Sequence, residues 1–436
     1  MYNMATKSLE LAEKYGADEA EVYLSSSRLT SANIRKNTIE GAKELVSKGI
    51  GIRTVINGAI GYASTNITSR IDDVVRAAVT SARVRESDPD WSSLPSNMDY
   101  PDVSNVFSDQ IYNIDLGECI DLTQQMIEGA TSIPDVIVTS GSFSRSIGKQ
   151  LILNTNGVEI KDQGTAVSGF VDVITTGDNI STAYDYSVSR SLDIDFSAIG
   201  RNAADLALRS INGVSIETHR TNVIFHPFAF SDILESTFLP SIDADNVQKG
   251  RSSLVGKLGE DITVPKLVFV DDGTLSGGIE TSVSDDEGTP SQRTTVVGNG
   301  VLDSYLYDSY TAGKDNVNST GNAVRNSYVS NPSVGIRNFI VEYPPSDIIS
   351  ETDEGVFVNM VIGAHTANSI SGDFSVEARN AFTIKDGQID KPIKSLMISG
   401  NIFEMLRNVT GAGSDVKKAG GMVTPSIRIK DVNVVG

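Results

Sequence analysis

The stretch KGIGIRTVINGAIGYAST, residues 48–65, constrains the fold of this chain more tightly than any other. Two apolar runs are separated by Asn57 and Gly58 alone. Asn-Gly supplies the two residues of positive φ that a two-residue type I′ turn requires, so the runs are expected to pair as an antiparallel hairpin. In the next segment Ile71, Val74, Val75, Ala78 and Ala82 share one helical face, which predicts a helix capped by Ser69 or Thr68. Ahead of the hairpin, a helix is expected over Met4–Tyr15, ended by Gly16, followed by strands in AEVYLSSS and TSANIRKNTIEGAKE.

A similar order follows the Pro- and Ser-bearing connector at 87–110. A helix near 115–130 precedes strand-like runs turned by NTNG, and a helix at 195–211 closes the unit. The first 210 residues thus read as two rounds of helix, meander and helix, alike in pattern and not in sequence. From THRTNVIFHP onward the chain has a helix near 228–238 and then becomes rich in short strands, with hairpins at Asn299-Gly300 and Asp386-Gly387. The expectation is an α+β protein: a mixed helix and sheet N-terminal domain over 1–212 and a strand-rich C-terminal domain over 213–436. Such a half could hold an extended peptide by adding it to a strand edge.

Charge narrows the partners. A formal net charge of −20 repels phosphate backbones, which argues against nucleic acid. No run of about 18 apolar residues appears, so no membrane-spanning helix is expected. The amphipathic start resembles neither a signal nor a transit peptide, which points to the cytoplasm. The single cysteine, Cys119, has no internal disulfide partner, and its helical surroundings favour a packing role over a nucleophile.

Zinc chemistry asks for convergent ligands, commonly two histidines one helical turn apart with an adjacent glutamate. The histidines here, His219, His226 and His365, are each isolated. His226 precedes Pro227, which places it before a helix start as a capping or structural residue. No phosphate-binding glycine loop or nucleophile elbow is present. Asp285, Asp286 and Glu287 stand in a row ahead of Arg293. They read either as an exposed turn or as a substrate-groove loop with Arg251 or Arg293 as counter-charge.

Several blocks in order, among them KGIGIRTVINGAIGYAST, DNVQKGRSSLVGKLGE, DDEGTPSQRTTVVGNGVLDSYLYDSYTAGK and SGDFSVEARNAFTIKDGQI, resemble the signature segments of the TldD/PmbA family. The resemblance implies a zinc metallopeptidase of two related subunits closing around a chamber in which peptides or unfolded segments are cut. One type, TldD, carries H-E-x-x-x-H and a later cysteine; its partner, TldE or PmbA, shares the fold without the ligands. An older label links the family to DNA gyrase modulation. Placed on this sequence, the motif falls over LESTFL, with Leu234 and Leu239 at the histidine positions and Glu235 retained. Cys119 lies far from the expected cysteine position, where His365 is the nearest metal-capable residue. The resemblance therefore implies a TldE/PmbA-like subunit with no catalytic residue or metal ligand of its own, its zinc carried by a TldD-like partner. Glu235 is then an exposed helix residue, or it or His365 reaches into a shared chamber. The alternatives are a self-sufficient homodimeric peptidase and a peptide-binding scaffold.

Overall fold

A computed structural model describes residues 2–436. Its first part comprises α1 (Tyr2–Lys14), β1 (Glu19–Arg35), β2 (Thr38–Ile56), β3 (Ala59–Thr65) and α2 (Ile71–Arg83). After the short α3 (Asp109–Asn113) come α4 (Leu116–Thr131), β4 (Val136–Asn154), β5 (Glu159–Thr175), β6 (Thr182–Ser189) and α5 (Phe196–Arg209). The expected repetition of helix, meander and helix is present. Both meanders join into one antiparallel sheet, ordered β3-β2-β1-β4-β5-β6, meeting along β1 and β4.

Local chemistry sets these elements. Asn57 and Gly58 both have positive φ, +49° and +78°, and turn β2 into β3 as expected. The equally tight turn between β1 and β2 uses Lys36 and Asn37 at +49° and +61°, a turn the lysine conceals from sequence inspection. Asp115 and Glu118 close a capping box at the start of α4. Neither Ser69 nor Thr68 caps α2: residues 68–70 form a 3₁₀ turn, and Arg70 takes the cap position without a side-chain hydrogen bond.

All four long helices pack on one face of the sheet. Val22, Leu24, Ile50, Ile52, Leu151 and Leu153 meet α1 and α2, while Phe143, Val167, Val171 and Val173 meet α4 and α5. Because side chains alternate along a strand, the opposite face carries Glu21, Tyr23, Gly51, Arg53 and Ile152. This second face receives the rest of the chain. Gly49 and Gly51 lie directly beneath Tyr328: a Cβ on Gly51 would sit 2.1 Å from the Tyr62 hydroxyl and 2.6 Å from the Tyr328 carbonyl oxygen.

The remainder begins with β7 (His219–Phe225), α6 (Pro227–Thr237), α7 (Leu239–Ile242), α8 (Ala244–Gln248), β8 (Val268–Asp272), β9 (Arg293–Gly298) and β10 (Val301–Leu302). It continues through α9 (Ser309–Asp315), β11 (Ala323–Val324), β12 (Ser333–Val334), β13 (Phe339–Glu342), β14 (Glu354–Ile362), β15 (Asp373–Lys385) and β16 (Gln388–Pro392). It ends with β17 (Met397–Asn401), α10 (Ile402–Leu406), β18 (Val409–Ala412), β19 (Lys417–Ala419), β20 (Met422–Thr424) and β21 (Ile427–Val435). Hairpins at Asn299-Gly300 and Asp386-Gly387 occur as expected. Strands β14, β7, β21, β17 and β15 pair in sequence, and β15 returns to β14, so they close a ring. A second sheet, β10-β9-β8-β13-β20-β19, lies beside it, and α6 is buried in the apolar core they share. The protein is therefore α+β. No helix among the described residues is long and apolar enough to cross a membrane.

Candidate functional site

Helix α6 opens at His226, whose side chain accepts a hydrogen bond from the Phe228 N–H at 3.3 Å, the capping role expected of it. Burial, with help from Lys417, pushes the imidazole down to about 4, and Asp415 opposes this only in part. His226 is thus a neutral acceptor at physiological pH. His219 is exposed on β7, and His365 is exposed in a turn at 364–366 that packs against α6. The helix buries Phe230, Ile233 and Leu234 and leaves Glu235 at the surface, its carboxyl partly shielded by its neighbours. Phe238 follows Thr237 in helical conformation, its N–H still bonded to the Leu234 carbonyl, and Leu239, partly buried against the same core, opens α7 just before Pro240. Phe238 lies in an aromatic cluster, 4.8 Å from Phe269 and 6.2 Å from Phe339 between centroids.

The outer side of α6 borders a hollow of about 240 Å³ lined by Tyr184 and Asp185 of β6, Asn202 of α5, His226, Phe228 and Lys417. Lys417 pairs with Asp185 at 3.7 Å and stands over the Phe228 ring. Burial pushes the Asp232 carboxyl up to about 6, and burial together with Asp232 raises Glu235 as well. A carboxyl raised in the folded state weighs against folding above its folded value, and that cost fades as pH falls toward the ordinary 3.8. Asp232→Asn is accordingly expected to raise the melting temperature at pH ~7.5 by about 2 °C and to leave it unchanged near pH 4, measured by calorimetry. An equal gain at both pH values would show that the carboxyl titrates normally.

The acidic triplet is the larger surprise. Asp285 and Glu287 are fully buried and Asp286 is 8% exposed, so the expected exposed turn is wrong. Arg251 and Arg293 are not its counter-charges either: Arg251 is exposed on the loop after α8, and Arg293 pairs with Glu342 at 3.0 Å. The triplet instead plugs the bare face of the sheet. Glu21 and Arg53, directly opposite one another on β1 and β2, pair at 2.7 Å, and the second Arg53 nitrogen reaches Glu287 at 2.7 Å. Glu21 also pairs with Arg325. Glu287 accepts from the Ser309 hydroxyl at 2.6 Å and the Ser309 N–H at 3.0 Å. Asp285 accepts backbone N–H groups of Glu287, Thr289 and Ala323 at 2.9–3.1 Å. Burial and the Glu287 charge push Asp285 up, and those three donors hold it back. For Glu287 burial also pushes upward, but Arg53 and Ser309 prevail and leave it below the usual range. Sequence inspection missed Glu21, Arg53 and Arg325, although Glu21 and Arg53 each interrupt a strongly apolar strand.

Beside this network lies a cleft of about 430 Å³ between the bare sheet face and residues 279–286. Its floor includes Tyr23, Ser25, Ser27, Gly148 and Gly164, and its walls include Asp286, Arg190, Arg325 and Arg337. Cys119 is remote from it, buried in α4, its thiol pushed up to about 11 by burial, as suits a packing role.

A double-meander sheet clamped by buried charges onto a strand-rich ring, with a hollow beside α6 and a cleft at the clamp, defines a two-part chain with internal concave surfaces. Three family models match it, described as PmbA/TldA metallopeptidase domain 1 over 20–82, central domain over 109–211 and C-terminal domain over 218–436. The chain belongs to the PmbA/TldD family of metallopeptidases. Among relatives, "Uncharacterized protein MJ0231" of Methanocaldococcus jannaschii is 33% identical, covering 97% of this chain and 98% of its own. A "Metalloprotease PmbA homolog" of Haemophilus influenzae is 26% identical over 98% of this chain and 94% of its own length. A "Metalloprotease TldD homolog" of Buchnera aphidicola is 24% identical over 93% and 87%. In structure the chain is similar to TldE from Thermococcus kodakarensis, with TM-score 0.93 at 24% identity, covering 99% of this chain and 100% of that one. It is also similar to a Thermotoga maritima protein described as a candidate modulator of a DNA gyrase, TM-score 0.92 at 25% identity, over 100% of both chains.

Proposed function

We propose that this chain is the TldE/PmbA-like subunit of a peptidase assembly, in which a TldD-like partner holds the zinc and both subunits enclose peptides or unfolded segments. The observation that carries this reading is the environment of residues 234 and 239. Where the family motif asks for histidines, Leu234 is fully buried and Leu239 packs against the same core. Methyl groups donate nothing to a cation, so the residues present at these positions do not fit zinc. Burying Leu234 contributes about 2 kcal/mol to packing instead. Glu235 lies at the surface near Asp232, with no cluster of metal-ligating side chains around it among the described residues. Relatives named for both subunit types fit an assembly of two such chains.

The test is elemental analysis and peptide hydrolysis by the purified chain, alone and mixed with a TldD-like protein from the same source. The expected result is less than about 0.1 zinc per chain and no hydrolysis alone, with zinc and hydrolysis in the mixture. Stoichiometric zinc and hydrolysis by the single chain would instead establish the self-sufficient homodimeric peptidase.

A further inference from the structure

We propose that the cleft beside the charge network is a carboxylate-binding subsite for peptides, with Arg337 as the group that receives the carboxylate. This deepens the reading of the chain as a peptide-handling subunit and rests on it.

The buried arginines at the junction are not equivalent. Arg53 has two carboxylate partners, each at 2.7 Å, and Arg325 pairs with Glu21. Arg337 is 6% exposed and has no ion pair among the described residues. Its guanidinium donates to the Ser282 hydroxyl and, at 3.4 Å, to the Ser284 carbonyl, while its buried Nε, like that of Arg53, finds no acceptor, so Arg337 alone of the two has neither an ion pair nor a satisfied Nε. The nearby carboxylates Asp271 and Asp286 feel the Arg337 charge but accept no hydrogen bond from its guanidinium. Asp271 accepts the Arg337 backbone N–H at 2.8 Å, and Asp286 accepts the Arg325 backbone N–H at 2.7 Å.

A second cation on the same wall, Arg190, donates only to carbonyls, among them Val106 at 3.1 Å and Gly278 at 3.2 Å. Burial lowers its basicity, and the Arg337 charge lowers it further, although Glu280 and Asp162 act in the opposite sense. Two guanidinium groups lining one cleft, neither with a carboxylate partner and one with a buried N–H unanswered, are stabilised by an anion offering a planar pair of acceptors. With Asp286, Glu280 and Asp162 lining the same cleft, a singly charged carboxylate fits better than a phosphate dianion. The floor of Ser25, Ser27, Gly148 and Gly164 is small and polar, leaving room for a main chain to lie over it. The carboxylate comes from the C-terminus of the peptide or from an acidic side chain.

The experiment measures fluorescence anisotropy of short, unstructured, N-terminally labelled peptides with the full chain, in three forms: free C-terminal acid, C-terminal amide, and amide with an internal glutamate. The free acid is expected to bind at least about tenfold more tightly than the plain amide, the size of a charge-assisted hydrogen-bonded contact. In Arg337→Gln, checked for folding by its melting curve, the acid-to-amide ratio is expected to fall to about one. If that variant does not fold, the ratio in the unaltered chain still decides. Recovery of tight binding by the internal glutamate supports the same subsite with a side chain as the source. Equal binding of acid and amide overturns the subsite and leaves the peptide-handling reading intact. No binding of any peptide overturns the subsite and weighs against that reading too.

Discussion

Glu287→Ala should lower the thermal unfolding midpoint by roughly 3–5 °C, the consequence of about 3–5 kcal/mol lost when a buried ion pair is broken from one side. The figure follows from what the substitution leaves behind. Arg53 is 4% exposed and keeps Glu21, but the guanidinium nitrogen that met Glu287 then loses its carboxylate in a buried site. The Ser309 hydroxyl and N–H lose their acceptor at the same time. The double variant Arg53→Met, Glu287→Leu is expected to be milder than Glu287→Ala alone, since Glu21 retains Arg325 and no charge is stranded. The pH dependence has a definite sign. Because the folded Glu287 carboxyl lies below its ordinary 4.5, its contribution is complete above that value and disappears as pH falls through the depressed one. The deficit of Glu287→Ala should accordingly be full at neutral pH and shrink in strong acid. A midpoint within about 1 °C of the parent at pH 7 would mean that the network relaxes around the loss.

That network also marks where the sequence was legible and where it was not. Turns whose chemistry is local were readable: Asn57-Gly58, Asn299-Gly300 and Asp386-Gly387 all occupy positive φ. The turn at Lys36-Asn37 has the same geometry with a residue type that does not announce it. Closure of the strand ring depends on β7 pairing in parallel with β14, Val223 against Val356, and nothing local encodes a partner so distant in the chain. The acidic triplet was misread for a related reason. Three adjacent carboxylates look solvated until their partners are known, and Glu21, Arg53 and Arg325 lie far away in sequence. A trace was present nonetheless. In the run IGIRTV the alternation that sends Ile50 and Ile52 into the helix-covered core sends Arg53 to the other face, which is tolerable only if something charged covers it.

The motif window LESTFL supports the second large effect. Leu234→His combined with Leu239→His, which rebuilds the histidines of the family motif, is expected to cost about 3–5 kcal/mol and to bind no stoichiometric zinc. Leu234 is fully buried in a core that includes Phe238, Phe269 and Phe339, so an imidazole there loses apolar contacts and must bury polar nitrogens in apolar surroundings. Leu239 directly precedes Pro240, which has no N–H to continue the helical hydrogen bonds, and it lies five residues after Leu234, so the two new rings would not stand one regular helical turn apart. A third ligand is also needed. Cys119 is buried in α4 on the far side of the sheet, and His365, though its turn packs against α6, directs its side chain to solvent. The measurement is a zinc titration of the double variant followed by its melting temperature. Binding of one zinc with recovery of the lost stability would show that the leucines sit over a preserved metal pocket. Failure to bind, with stability still lost, would show that packing has replaced the pocket, and that any zinc in the assembly is held elsewhere.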